Sequence, residues 1–309
     1  MKKSVLILFA VAAIAASCTK ELKPAAPAVD FGKGAEIAFT TRMDAPATRG
    51  ATEVVTASFT TFNVIATSGT STQTKIWDDG VFTGTLGGNY TGGKYWPSSS
   101  VSWNFYASNA AMTFASSGST IAVADCNTDI VAEYLEGATY QASNALTFEH
   151  ILCQLGTVAM KAPDTFTVTD LKVSLLPITS GTYNLKADTW ARGSASASPV
   201  YVVGTAAEGV AVPAAGYVSA DNDLWLVPGS YQLTASYTIT KGDFTESYTK
   251  HATVTLQQGK NNNLGLPDTD GDGQNDDPNI PDPGDDIKDI IFTVSVTPWT
   301  DVEIPATFS

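Results

Sequence analysis

An all-β chain of two β-sandwich domains in tandem is the fold the sequence predicts, and three observations predict it. Runs such as "TASFTTFNVIA", "SVSWNFYAS", "DLKVSLLPI", "YQLTASYTIT", "HATVTLQQ" and "IIFTVSVTPW" are rich in Val, Thr, Tyr, Phe and Trp and alternate, or nearly alternate, along their length. Gly, Ser, Asn and Asp separate them, as turns separate half-buried strands. Apolar residues with a period of 3.6 are confined to the N-terminus, with "DIVAEYLEG" and "FEHILCQLG" as short ambiguous cases. Roughly 260 residues follow Arg49, enough for two domains with cores of their own.

The chain opens "MKKSVLILFAVAAIAASC": two lysines, an apolar run from Val5 to Ala16, and small residues leading into Cys18. The run is about 12 residues, short of the roughly 20 a membrane-spanning helix needs, so residues 1–18 read as a secretory signal peptide. "AASC" matches a lipobox, in which the cysteine is acylated and becomes the new N-terminus. Ala15 departs from the pattern, which usually has Leu there, and an ordinary signal peptide with a chance cysteine is the alternative. Acylation at Cys18 by more than one chain anchors a protein firmly in an outer-membrane leaflet.

Residues 19–49 carry the pattern of a first strand. In "AEIAFTT", Ile37 and Phe39 share one face while Glu36, Ala38 and Thr40 share the other. The strand runs into "TRMDAPATRG", which holds Arg42 and Arg49, two of the three arginines in the chain. Arg49 follows a small, proline-containing stretch and precedes Gly50, whereas Arg42 abuts the strand.

Residues 50–145 form the expected N-terminal sandwich and residues 146–309 the C-terminal one, with a connection around 133–146 as the boundary. "GNYTGGKY" fits G-x-x-x-x-G-K, but Tyr95 stands where a P-loop needs Ser or Thr, and "WPSSS" cannot open a helix to cradle phosphate. It reads as a glycine-rich turn. His150 in "FEHILC" and His251 are the only histidines, and one His beside Cys153 is half a zinc site at best. No G-x-S-x-G elbow is present, so no catalytic site and no required cofactor are expected. Cys126 and Cys153 are left as either a disulfide or two buried thiols. A net charge of −14 excludes nucleic acid, whose phosphates demand clustered Lys and Arg.

Residues 267–289 break the strand texture with nine aspartates, four prolines and one lysine. Such a segment cannot bury enough apolar area to order itself and reads as an acidic linker. Within it Asp268, Asp270, Asp272 and Asp276 occupy positions 1, 3, 5 and 9 of a calcium loop, with Gly273 at the turn and Asn279 where a bidentate Glu is usual. A Ca2+ site and a plain solvated spacer both remain open. Strand texture resumes over 290–309, where Phe292, Val294 and Val296 share one face.

"GGKYWPSSSVSWNFYAS", "NTDIVAEYLEG", "LTFEHILCQLGTVAM", "DLWLVPGSYQLTASYTI", "GKNNNLGL" and "IIFTVSVTPWTD" follow one another in the order shown by the fimbrillin family, and with the lipobox the chain resembles those subunits of type V fimbriae. The acidic insert departs from that pattern. The resemblance implies two transthyretin-like, Greek-key sandwiches, export as a lipoprotein, and a cut at the cell surface by a protease often specific for arginine, which makes residues 19–49, with the first strand, a propeptide removed on maturation. Arg49 or Arg42 would be the cut, and the displaced strand with Ile37 and Phe39 would be exchanged for a neighbour's donor strand, Phe292, Val294 and Val296. Partners would be copies of the same subunit in a homopolymer, with the receptor on a host or bacterial surface unassigned. The competing reading is a surface lipoprotein that binds glycans through Trp77, Trp96, Trp103, Trp190 and Trp225. A hydrolase with paired carboxylates has no positive feature in its favour.

Overall fold

The computed structural model of the chain describes residues 35–43, 59–140, 143–161, 167–212, 217–220, 222–264, 292–298 and 302–306. Among them every regular element is a strand, as the alternation predicts. In chain order these are β1 (Ala35–Met43), β2 (Thr61–Ser68), β3 (Thr74–Thr83), β4 (Asn89–Trp96), β5 (Ser102–Ser108), β6 (Thr120–Val123), β7 (Val131–Thr139), β8 (Asn144–His150), β9 (Cys153–Lys161), β10 (Thr167–Leu175), β11 (Gly181–Asn184), β12 (Thr189–Arg192), β13 (Val200–Val203) and β14 (Val210–Val212). They continue with β15 (Tyr217–Ala220), β16 (Leu224–Leu226), β17 (Gly229–Lys241), β18 (Phe244–Leu256), β19 (Lys260–Leu264), β20 (Phe292–Pro298) and β21 (Val302–Ala306).

The N-terminal half departs from the expected sandwich. Its strands close a seven-stranded barrel in the order β1-β4-β3-β2-β5-β7-β8, with β8 returning to β1 in parallel. Closure removes both sheet edges, which a sandwich would have left. The interior is filled by aromatic side chains, Phe39, Phe62, Phe82, Tyr90, Trp96, Phe105 and Phe148, all buried. "GNYTGGKY" is strand β4, not a turn. Gly92 serves packing, since a Cβ there would stand 2.6 Å from the Val81 carbonyl oxygen and against the Phe82 ring.

The two ambiguous segments are strands as well. "DIVAEYLEG" supplies most of β7 and "FEHILCQLG" spans the end of β8 and the start of β9. The stretch around 133–146 therefore carries barrel strands, and the chain leaves the barrel after His150, where the in-out burial of β8 stops.

The C-terminal half sets two sheets around one core. One has the order β13-β10-β17-β18 with β14 also on β10, and the other β15-β9-β19-β20-β21 with β16 also on β9. Leu155, Val158, Leu171, Val173, Leu233, Ile239 and Leu264 meet between them. The halves are joined, not merely strung together. Sheet β12-β11-β6 pairs a strand of the first half with a hairpin of the second, and Ile65, Tyr106, Ile121, Ile151, Tyr183 and Trp225 share the core beneath it. Cys126 and Cys153 are both buried and free, which decides the alternative left open by their number.

Candidate functional site

The first strand of the barrel carries the residues expected to be displaced, Ile37 and Phe39, and its seat is built from both sides. β1 runs antiparallel to β4, with Ala35 opposite Trp96, Glu36 opposite Tyr95 and Phe39 opposite Tyr90, and a bulge between Glu36 and Ala38. On its other side it runs parallel to β8, with Phe39 opposite Asn144 and Arg42 opposite Thr147. Ala35, Ile37, Phe39 and Thr41 turn inward and are buried, while Glu36 is exposed and accepts a hydrogen bond from the Gly93 backbone N–H at 3.2 Å. The period of two places the apolar set on the core face, and the bulge lets the strand bend with the barrel wall.

Phe39 is the centre of this seat. Its ring lies 4.9 Å from that of Phe82, 5.0 Å from Phe105 and 6.2 Å from Phe62, in tilted and edge-on arrangements favoured between aromatic quadrupoles. Full burial of Ile37 and Phe39 contributes roughly 1.5–3 kcal/mol each.

Arg42 lies inside β1, its backbone opposite Thr147 in the sheet. A chain held in a ladder is a poor protease substrate. Cys18, Arg49 and the acidic residues Asp268, Asp270, Asp272 and Asp276 lie outside the described residues, as do the side chains of Arg42, Phe292, Val294 and Val296.

The backbone of the predicted donor strand is described, and it lies on its own chain. β20 runs antiparallel to β19, with Leu264 opposite Val294 and Asn262 opposite Val296, and β21 pairs with its other side. β21 carries Pro305 in the outermost strand of that sheet, where a missing donor is tolerated, whereas Pro298 closes β20. Asn262, which the sequence reading passed over, fixes the root of this arrangement. It is fully buried, its Nδ2 donates to the Gln154 carbonyl at 3.1 Å, and its Oδ1 accepts from the Gln257 N–H at 3.0 Å. A run of three asparagines at the head of a strand is the signal that could have found it.

The tryptophans named for glycan binding serve packing. Trp96 and Trp103 stack at 5.2 Å inside the barrel, Trp225 is buried, Trp190 is half-buried and donates to the Ile151 carbonyl at 3.2 Å, and Trp77 lies half-buried beneath the Lys94 ammonium at 5.2 Å. His150 pairs through Nδ1 with Asp129 at 2.7 Å, both buried, as a satisfied core histidine does.

One cleft gathers carboxylates. A cavity of about 200 Å³ between β7, β8 and the β11–β12 hairpin is lined by Glu133, Tyr134, Glu149, Tyr183 and Asp188. Burial, and then the neighbouring Glu149, push the Glu133 carboxyl up to about 7. Tyr183 donates to Asp188 at 2.7 Å and Gln258 Nε2 donates to the same oxygen at 2.9 Å. No group of three or more His, Cys, Asp or Glu side chains among the described residues is placed to hold a metal ion.

Solved structures with similar chain traces include candidate cell adhesion proteins from three Bacteroides species. That from Bacteroides uniformis shares 12% identity at a TM-score of 0.46, with 86% of this chain and 98% of that one covered. That from Bacteroides ovatus shares 15% at a TM-score of 0.43, covering 75% and 92%, and that from Bacteroides eggerthii 13% at 0.40, covering 88% and 96%. No curated protein matches the sequence. The family model described as fimbrillin-like matches residues 41–299, a span that runs from the end of β1 past β20, and the chain belongs to the fimbrillin-like family.

Proposed function

We propose that the protein is the structural subunit of a cell-surface fimbria, held as a lipoprotein precursor on Cys18 and released to polymerise by a cut after Arg49 or Arg42. Membership of the fimbrillin-like family supports a fimbrial, adhesive role and assembly with other fimbrial subunits. The observation that carries the finer reading is the seat of β1: Ile37 and Phe39 are fully buried in a barrel that this strand closes, with Arg42 near the strand's end and Arg49 six residues beyond it in sequence.

Cleavage at either arginine separates β1 and the Cys18 anchor from the rest of the chain in one step. The barrel is then left open between β4 and β8, with their backbone N–H and C=O groups unpaired and an apolar slot where Ile37 and Phe39 stood. Such an edge accepts an added strand. The C-terminal segment of a neighbouring copy fills it: Phe292, Val294 and Val296 repeat the period of β1, and no proline interrupts them before Pro298. The acidic stretch of 23 residues before that strand spans up to about 75 Å when extended, enough to reach another subunit. For the strand to be given away it must leave β19 of its own chain, so donation exchanges one set of ladder bonds for another.

Arg42→Ala together with Arg49→Ala tests this directly. The double variant should stay monomeric after treatment with an arginine-specific endoprotease, whereas the wild type gives an SDS-resistant ladder on unboiled gels. Polymerisation of the double variant to the wild-type extent removes processing from the mechanism.

A further inference from the structure

Arg192 is the third of three arginines among 17 basic residues. Like Arg49 it is followed by glycine, in "ARGSASASP" (residues 191–199), and the small residues after it are exposed. The backbone is partly held: β12 ends at Arg192 and pairs with β11, on one side only among the described residues, and the Gly193 N–H of the bond itself donates to the Ser180 carbonyl at 2.8 Å, a ladder contact of the kind that also holds Arg42.

The side chain is held as well. The Arg192 guanidinium carbon lies 4.7 Å from the centre of the Tyr231 ring, Nη1 donates to the Ser230 carbonyl at 3.1 Å, and Nε and Nη2 are sealed from solvent. Gly229 allows the guanidinium this close, because a Cβ there would stand 2.8 Å from Nη1. Tyr231 is itself buried and anchored, its hydroxyl donating to the Val227 carbonyl at 2.6 Å. An arginine-directed protease must take the guanidinium into its own pocket, and this one is already occupied.

We propose that Arg192–Gly193 is a latent cleavage bond, closed to an arginine-directed endoprotease while the C-terminal half is folded and cut once that half opens. The step is a hydrolysis: the Arg192 carbonyl carbon takes the hydroxyl of water, the Gly193 nitrogen takes the proton, and the amide bond breaks with nothing else consumed. The kind of protease rests on the processing reading above, whereas the shielding does not. One enzyme then trims folded subunits at the N-terminus and cuts unfolded ones through the middle, so that only folded subunits reach the polymer. Cleavage after Arg192 follows the population of the open form, and unfolded fractions of about 10⁻³ to 10⁻⁶ make it at least about 1000-fold slower than in the open chain.

The test digests the full chain with an arginine-specific endoprotease in native buffer and through a urea series, with fragments identified by mass. In native buffer the N-terminal piece should be lost and no fragment 193–309 released. That fragment should appear with urea along the unfolding curve followed by tryptophan fluorescence. Ala197→Arg puts an uncovered arginine in the same exposed loop, before an amide that bonds only locally to Ser196 Oγ, and should be cut in native buffer. Release of 193–309 from the native wild type as fast as the N-terminal piece overturns the proposal. So does native resistance of Ala197→Arg, which would place the protection in the loop and not at Arg192, or an unfolded chain left whole at Arg192. If Arg42 and Arg49 stay uncut while Arg192 behaves as stated, the processing reading fails and the latent bond stands.

Discussion

Phe39 and Phe105 meet edge to face inside the barrel, ring centroids 5.0 Å apart and planes at 84°. Phe39 belongs to the strand that processing would remove and Phe105 to β5, within the part that stays. The stability of the precursor and the readiness of the processed subunit to take up a strand therefore depend on the same contact. Phe39→Ala should destabilise the uncut chain by about 3–5 kcal/mol, the usual cost of emptying an aromatic core site. Glu36→Ala, on the exposed face of the same strand, should stay within about 0.5 kcal/mol of wild type. Urea unfolding of the two variants checks both, and equal losses would contradict the assignment of faces.

Glu133 should make the fold less stable as pH rises. Its folded-state pKa is raised to about 7 from 4.5, so the folded protein holds a proton that the unfolded chain releases earlier. The contribution is full below about pH 4.5 and is lost as pH climbs through 7. Solvent on the open side of the cleft screens the effect to about 1–2 kcal/mol. Glu133→Gln should flatten the fall in melting temperature between pH 5 and 8. A variant with an unchanged slope would assign that dependence to other groups.

The two internal thiols should be silent in the native state. Burial pushes Cys126 up to about 12, and Cys153, more deeply buried, is pushed up as well. Only thiolate reacts readily, so a chromogenic disulfide reagent should label neither in a Cys18→Ala chain until denaturant is added, and two per chain afterwards. Stoichiometric labelling in native buffer would contradict their placement.

Calcium, if the acidic insert takes it, should bind weakly. Asp268, Asp270, Asp272 and Asp276 supply oxygen ligands, but Asn279 replaces the bidentate glutamate, which lowers charge and rigidity. Calorimetry should give a submillimolar dissociation constant for the wild type and no heat for an Asp270→Ala, Asp272→Ala double variant. Equal heats for the two would leave a plain spacer.

Acylation should be confined to Cys18. Metabolic labelling with a fatty-acid analogue should mark the wild type and leave Cys18→Ala unlabelled and unanchored, and an unlabelled wild type would contradict the lipobox.

Strand identity was legible in the sequence because it is a local property. Ala35–Thr41 alternates, and it is a strand with Ile37 and Phe39 inside. What the sequence did not show is set by partners far along the chain. β1 pairs in parallel with β8 across more than 100 residues, and that one pairing turns an expected sandwich into a barrel. The same holds for β6 on β11, which fuses two halves that read as separate domains. Gly92 and Gly93 suggested a turn because glycine usually marks one, while here close approach to Val81 and Phe82 requires Gly92 and a left-handed backbone, φ 63°, favours Gly93. Arg192 drew no notice, since nothing local marks a guanidinium that Tyr231, 39 residues on, will cover.

The central claim is that β1 leaves and the C-terminal strand of another copy replaces it. It is tested most directly by a chain deleted from Ile290 onward, which keeps β19 on β9 but has no strand to give. Treated with an arginine-specific endoprotease and mixed with treated full-length protein, it should accept a strand, never donate one, and so cap growing polymers. The prediction is an SDS-resistant ladder that shortens in proportion to the truncated chain added. A ladder of undiminished length, or long polymers formed by the truncated chain alone, would contradict strand exchange through these two segments.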